Sequence, residues 1–197
     1  MLTFAVGSVR GCASQLANLL EQCHVYAGHQ SARYVFLGNF INQGPDSRGV
    51  VEKIIDLQNN SGNRVIALAG ENETLLREWE IGDNMPRWLN RGGGATLRSY
   101  AVSSPADLPQ DHLTWLKSLH RSFDDQLRYF AGAGLKVEPT SRAVVVISNR
   151  QAGQTSPTSP GQSIINLDKG AGFGRPVMAA VFASDQVMPL DFIKAEI

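Results

Sequence analysis

The loop Gly38-Asn39-Phe40-Ile41-Asn42-Gln43-Gly44-Pro45-Asp46 follows a short apolar run, Val35-Phe36-Leu37, and leads into a helical pattern opening at Ser47. In an open α/β sheet, the loop leaving the carboxyl end of a strand is where ligands sit. Chemistry on a metal or a phosphate at such a loop needs carboxylates, imidazoles or a cationic cradle. Asn39, Asn42 and Gln43 are uncharged amides instead. Two more glycine-led loops follow apolar runs in the same way, Gly7-Ser8-Val9-Arg10-Gly11 and Gly70-Glu71-Asn72-Glu73. Ser8 has no histidine or lysine as a neighbouring base that would make it a nucleophile. It reads as a turn residue capping the helix behind it. Arg10 is a permanent cation with no lone pair to offer a metal.

The elements that must position these loops are legible from hydrophobic periodicity. Strands are expected at 2–6, 34–37 and 64–69, and helices at 12–26, at 47–59 and from 71 onward. Leu16, Leu19, Leu20 and Cys23 share one face of the first helix, and Val50, Val51, Ile54, Ile55 and Leu57 supply the stripe of the second. Three strand–loop–helix units in succession predict parallel pairing with right-handed crossovers, so the three loops converge on one sheet edge. Residues 84–120 read as mainly helical, with Trp79, Trp88 and Trp115 as packing residues. Arg91-Gly92-Gly93-Gly94 lacks a P-loop lysine and a preceding strand, and reads as a flexible turn between helices. After Arg121 the period becomes that of strands, at 127–131, 143–148, 164–167, 177–183 and 186–192. These are expected to form a second, largely antiparallel sheet packed on the first. The stretch 150–163, rich in Gly, Pro, Ser and Thr, reads as a mobile loop. The glycine-rich run 169–174 lies between strands and suggests no nucleotide role.

Composition narrows the partners. The 197 residues carry 18 basic and 18 acidic side chains, with no long run of either sign. A nucleic-acid or membrane-surface partner is therefore not expected. No window approaches the ~18 apolar residues of a membrane span, and the N-terminus lacks a signal-peptide pattern. Cys12 and Cys23 sit on one expected helix, roughly 16 Å apart and beyond disulfide reach. Reduced thiols fit the cytoplasm. His24, His29, His112 and His120 fall outside the converging loops and read as surface or packing residues. The expectation is one domain over residues 1–197.

The residues also carry a resemblance. Val6-Gly7-Ser8-Val9-Arg10-Gly11-Cys12, Leu37-Gly38-Asn39-Phe40-Ile41-Asn42-Gln43-Gly44-Pro45-Asp46-Ser47 and Leu68-Ala69-Gly70-Glu71-Asn72-Glu73 resemble, in order, three motifs of the calcineurin-like metallophosphoesterases. Those motifs are G-D-x-H-G, G-D-x-x-D-R-G and G-N-H-E. The nearest branch is the bacterial and phage serine/threonine phosphatases and diadenosine tetraphosphatases. Gly93-Gly94-Ala95-Thr96-Leu97-Arg98, Tyr129-Phe130-Ala131-Gly132-Ala133-Gly134 and Ile165-Asn166-Leu167-Asp168-Lys169-Gly170-Ala171 extend the likeness along the chain. It implies a four-layer αββα sandwich of two mixed sheets flanked by helices.

The family binds two divalent ions that clamp a phosphate and generate the attacking hydroxide. At its ligand positions this chain has other residues. Ser8 and Arg10 stand for the first motif's aspartate and histidine, and Asn39 for the bridging aspartate. Asn42 and Gln43 stand for the second motif's later aspartate and arginine. Glu71 and Asn72 stand for the third motif's asparagine and histidine. Gly132 and Asn149 stand where two later histidines are expected, and a substrate-binding segment between them is missing. Asp168 matches a structural position. Arg10 is expected to fill the space of the first ion and pair with Glu71, with Asn39 and Asn42 satisfying its remaining donors. The implied function is that of a pseudophosphatase, with no catalytic residues and no cofactor, acting as a protein-binding, scaffold or regulatory module. The alternatives are a sensor of a phosphorylated or anionic ligand through Arg10, and a residual metal-dependent phosphatase.

Overall fold

The computed structural model describes residues 1–61, 64–80, 85–150 and 159–196. The stretch 151–158, most of the expected mobile loop, lies outside the described residues. The chain runs β1 (Leu2–Val6), α1 (Ala13–Ala27), β2 (Ala32–Phe36), α2 (Ser47–Ser61), β3 (Val65–Ala67) and α3 (Glu71–Glu80). A helical region follows, of α4 (Met85–Trp88), α5 (Gly94–Tyr100) and α6 (Gln110–Ser118). Then come β4 (Ser122–Asp124), β5 (Arg128–Ala131), β6 (Val144–Ile147), β7 (Ser163–Asn166), β8 (Met178–Ala183) and β9 (Asp191–Lys194).

Two mixed sheets result, with orders β3-β2-β1-β8-β9 and β4-β5-β6-β7. In the first, β1, β2 and β3 are parallel, as three strand–loop–helix units require. Strand alternation divides the cores. Phe4, Val6, Phe36, Ala179 and Val181 face the helices, where they meet Leu16, Leu19, Val50, Ile54, Leu75 and Leu116. Ala5, Val35, Ala180 and Phe182 face the other way and pack on Phe130, Val144, Val146 and Ile165 of the second sheet. The outer face of that sheet carries Ala131, Val145 and Ile147, gathered with Val137.

The second sheet differs from expectation in two respects. Two of its three pairings, β5 with β6 and β6 with β7, are parallel. Their connections, 132–143 and 148–162, provide the dozen or so residues that a parallel crossover needs. β8 and β9 join the first sheet instead, antiparallel to β1 and to each other. The last strand also starts later than its apolar residues suggest. Pro189 has no N–H for a ladder, and Val187, Met188 and Leu190 are exposed ahead of it.

Candidate functional site

The carboxyl ends of β1, β2 and β3 do converge, and backbone hydrogen bonds knit their loops together. The amides of Val9 and Arg10 donate to the Asn39 carbonyl at 3.2 and 2.7 Å, and Gly11 donates to Phe40 at 2.7 Å. Ala133 donates to Leu37 and Glu71 to Ala133, at 2.5 and 2.7 Å, which brings in the loop after β5. The tight second loop places Asn39, Asn42 and Gln43 at φ 53, 76 and 55. Asparagine tolerates that left-handed region better than most residues.

At the hub of these loops is Glu73, to which the sequence reading assigned no role. Its side chain is fully buried. One carboxylate oxygen accepts from the amides of Asn39 and Gly70, both at 2.8 Å, and the other from Phe40 and Ile41 at 2.8 and 3.3 Å. Burial pushes this carboxyl above its usual range, and the four backbone hydrogen bonds oppose that rise.

Arg10 turns in from φ 48 and is 6% exposed. It grips Asp168 with two donors, Nη2 to Oδ2 at 2.5 Å and Nη1 to Oδ1 at 3.1 Å, and Nη1 also reaches the Ala171 carbonyl at 3.3 Å. The expected Arg10–Glu71 pair is not formed. Glu71 bonds Arg91 at 2.8 Å, with Arg87 at 4.0 Å. The reason is steric as well as electrostatic. The glycine-rich run after β7 folds over Arg10, so closely that a Cβ on Gly172 would stand 3.0 Å from that of Arg10. This brings Asp168, Ala171 and Phe173 within reach. Asp168, read as structural, is thus the counter-ion of the site.

Asn39 and Asn42 do not serve Arg10 either. Asn39 Oδ1 accepts the Asn72 amide at 3.0 Å and its Nδ2 donates to Ser8 Oγ at 3.3 Å. Asn42 Oδ1 accepts Thr96 Oγ1 at 2.9 Å and its Nδ2 donates to the Arg91 carbonyl at 3.2 Å. Gln43 donates to that same carbonyl. Asn72 Nδ2 donates to the Ile41 carbonyl at 2.8 Å. Ser8 caps no helix: its amide donates to Ser148 Oγ at 2.8 Å, and the two hydroxyls are 2.9 Å apart. Asn149 exchanges hydrogen bonds with the Asn166 side chain at 3.0 and 2.7 Å.

Arg91 lies in a turn between helices, as expected. The chain kinks through Arg91 (φ −88, ψ 15) and Gly92 (φ 89) between α4 and α5, aiming the Arg91 carbonyl at the second loop. A cleft of about 270 Å³ opens over these groups, lined by Arg10, Asn39, Gln43, Glu71, Asn72 and Asn149, with Arg91, Arg150 and Phe173. Ser8, Asn42 and Gly132 lie outside its lining.

These residues do not fit a pair of divalent ions. Among the described residues no three His, Cys, Asp or Glu side chains stand where they could hold one. Glu73 is committed to four amides, Asp168 to a guanidinium, and Glu71 to Arg91. Hard divalent cations need several free oxygen or imidazole donors. Asparagine and glutamine oxygens already accepting N–H or O–H groups do not supply them.

Comparison with known proteins agrees on one kind of relative. No protein-family model matches the chain. A symmetrical bis(5'-nucleosyl)-tetraphosphatase of Bordetella pertussis is 33% identical over 73 residues, which is 37% of this chain and 24% of the relative. One from Janthinobacterium is 35% identical over 76 residues, 39% of this chain and 26% of the relative. The match thus spans about a quarter of those proteins. In structure, the chain resembles a putative diadenosine tetraphosphatase at TM-score 0.63 and 19% identity, covering 99% of this chain and 94% of that one. It resembles a metallophosphoesterase from Sphaerobacter thermophilus at TM-score 0.65 and 18% identity, covering 100% and 89%. Along nearly its whole length the chain has the fold of these metallophosphoesterase structures, and over 73–76 residues its sequence is similar to symmetrical bis(5'-nucleosyl)-tetraphosphatases.

Proposed function

We propose that this chain is a pseudophosphatase, a metallophosphoesterase fold that no longer hydrolyses phosphate esters and works as a cytoplasmic binding or regulatory module. The observation that carries this reading is the Arg10–Asp168 pair. A guanidinium held by two donors, at 2.5 and 3.1 Å, occupies a converging loop where the family has a metal-binding histidine. A divalent cation beside it meets repulsion instead of a ligand. Loss of the metals removes both the nucleophile and the charge stabilisation of in-line displacement. Asn72, in place of the family's proton-donating histidine, has no proton to give at neutral pH.

The test is calorimetric titration of the metal-stripped protein with manganese, followed by hydrolysis assays on p-nitrophenyl phosphate and diadenosine tetraphosphate. We expect no stoichiometric binding at about millimolar ion and no turnover above background. Binding near micromolar affinity, or metal-dependent turnover, overturns the reading.

A sensor of an anionic ligand through Arg10 is disfavoured, since Asp168 already neutralises that guanidinium. An anion reading survives at a different arginine, because Arg150 also faces the cleft.

A further inference from the structure

The helix α1 packs on the core through one buried stripe, Leu16, Leu19, Cys23 and Ala27. Val25 and Tyr26, in its last turn, lie off that stripe and are 71% and 41% exposed. With Glu21 and Gln22 they line a shallow groove of about 320 Å³, in which Ile193 of β9 is the buried member. Tyr26 stands edge-on to Phe4, with ring centroids 6.2 Å apart, so this wall is already ordered. The neighbouring strand is apolar outward as well, with Val187, Met188, Leu190 and Phe192 exposed in β9 or ahead of it. Among the described residues nine large apolar side chains are exposed, and six of them come from α1 and the stretch 187–192. The two elements touch, through Gln22 and the Lys194 carbonyl at 3.1 Å. Single exposed apolar residues need no explanation, but such a gathering marks an interaction surface.

We propose that this groove docks a basic amphipathic helix of a protein partner, apolar residues inward and Lys or Arg along its flanks. The proposal goes beyond the reading of the cleft and does not depend on the loss of the metals. Charge selects the occupant. The ionised side chains of α1 and of residues 184–196 are Glu21, Asp185, Asp191 and Glu196 against Lys194 alone. All five are exposed, and none forms an ion pair among the described residues. Four carboxylates against one ammonium leave a surplus of negative charge. It repels a second copy of the same face, an anionic lipid surface and a nucleic acid alike. It attracts a cationic partner.

The backbone selects a helix over an added strand. β9 is an edge strand, and Ala195 donates to Val177, so residues 192, 194 and 196 turn their backbone groups outward. Those groups are already used. The Phe192 amide donates to Asp191 Oδ1 at 2.7 Å, the Lys194 carbonyl accepts Gln22, and the Glu196 amide donates to Asn18 Oδ1 at 2.8 Å. A partner must therefore engage side chains in the groove, as an amphipathic helix does.

The experiment is an NMR titration of the isotope-labelled full chain, following the amides of Gln22, Val25, Tyr26 and Ile193. Three capped peptides of about 14 residues serve as probes. One is built of leucine and lysine with the leucines on one helical face, one is its scramble, and one has glutamate for every lysine. We expect saturable shifts at these amides with the leucine–lysine helix, and a several-fold loss of affinity from about 0.05 to about 0.5 M salt. The scrambled and glutamate peptides should bind at least about tenfold more weakly. Val25→Gln, off the core stripe, should weaken binding about tenfold, the loss of one newly buried valine, without lowering the urea midpoint. Glu21→Lys should weaken it several-fold. No saturable shift, shifts centred elsewhere, equal binding of the scrambled or glutamate peptide, or unchanged affinity in both variants overturns the proposal. So does a dimer of the chain alone that Val25→Gln disperses in sedimentation equilibrium, which would give the groove to a second copy. Co-sedimentation with phosphatidylserine vesicles that Val25→Gln abolishes would give it to a membrane, and overturns the proposal equally.

Discussion

Gly132 is pressed against the backbone carbonyl of Ala69, so that a side chain there would have its first carbon inside the oxygen's contact radius. The same added carbon would lie 2.9 Å from Leu135 Cδ1 and 3.0 Å from the Arg121 carbonyl. The resemblance puts a metal-binding histidine at this position. Here the space for its Cβ is taken by the loop after β3, so a histidine at this position finds no room. Gly132→His should therefore bind no manganese and unfold at lower urea. Overpacking costs about 1–3 kcal/mol in cores that can relax, and three surrounding contacts, two of them backbone, put this variant at the upper end. Gly132→Ala should show much of the same loss. Wild-type stability in both would mean that the 132–135 turn yields easily.

The Arg10–Asp168 pair lends itself to a double-mutant cycle. Both side chains are nearly or wholly buried, at 8% and 0% exposure. Removing one partner of such a pair strands a charge and costs about 3–5 kcal/mol, whereas removing both costs much less. Arg10→Met and Asp168→Asn should each lower the urea midpoint, and the double variant should recover part of the loss. Simple additivity would show that the pair is not coupled, and that Arg10 is held by the Ala171 carbonyl and its loop alone.

What could be read from the sequence follows from where the information lies. The convergence of three loops was legible because each of the first three strands is an apolar run ending at glycine. Arg10's partner was not, because 158 residues separate it from Asp168. The choice between Asp168 and Glu71 was made by a φ of 48 and by a glycine-rich loop closing over the side chain. Neither leaves a periodic trace. Glu73 was missed for a related reason: its partners are four backbone amides, which every residue has. The direction of the second sheet also escaped, since alternation marks a strand without giving its sense. Connection lengths held that information, and 132–143 was long enough to suggest a parallel crossover.

Glu73 yields a prediction about the whole site edge. Its two oxygens accept four amides and donate nothing. Glutamine at this position would turn an NH₂ group toward two N–H donors. Each buried donor left without a partner costs about 1–3 kcal/mol, so Glu73→Gln should lose several kcal/mol despite being nearly isosteric. Native-state hydrogen exchange should show the amides of Asn39, Phe40, Ile41 and Gly70 opening first. Unchanged protection there would mean that the loops are held by their backbone ladder without the carboxylate.

The two cysteines give a pH-dependent prediction that involves no ligand. Cys23 is fully buried in the helix-side core, and burial pushes its thiol up to about 12 from 9.0. At pH 8 the folded protein then holds roughly one part in ten thousand of this residue as thiolate, the reactive form. A raised thiol pKa means that the folded state binds the proton more tightly than the unfolded state does. Its effect on stability is therefore absent below pH 9 and turns unfavourable as pH rises from 9 toward 12. Cys12 is half-buried, and burial raises its thiol too, against a Gly172 backbone hydrogen bond and the Arg10 charge, which lower it. Thiol labelling of the native protein at pH 8 should accordingly modify Cys12 slowly and leave Cys23 untouched until urea unfolds the chain. Labelling of Cys23 at the Cys12 rate would require α1 to open locally, and would place the weakest part of the fold beneath the first loop of the site.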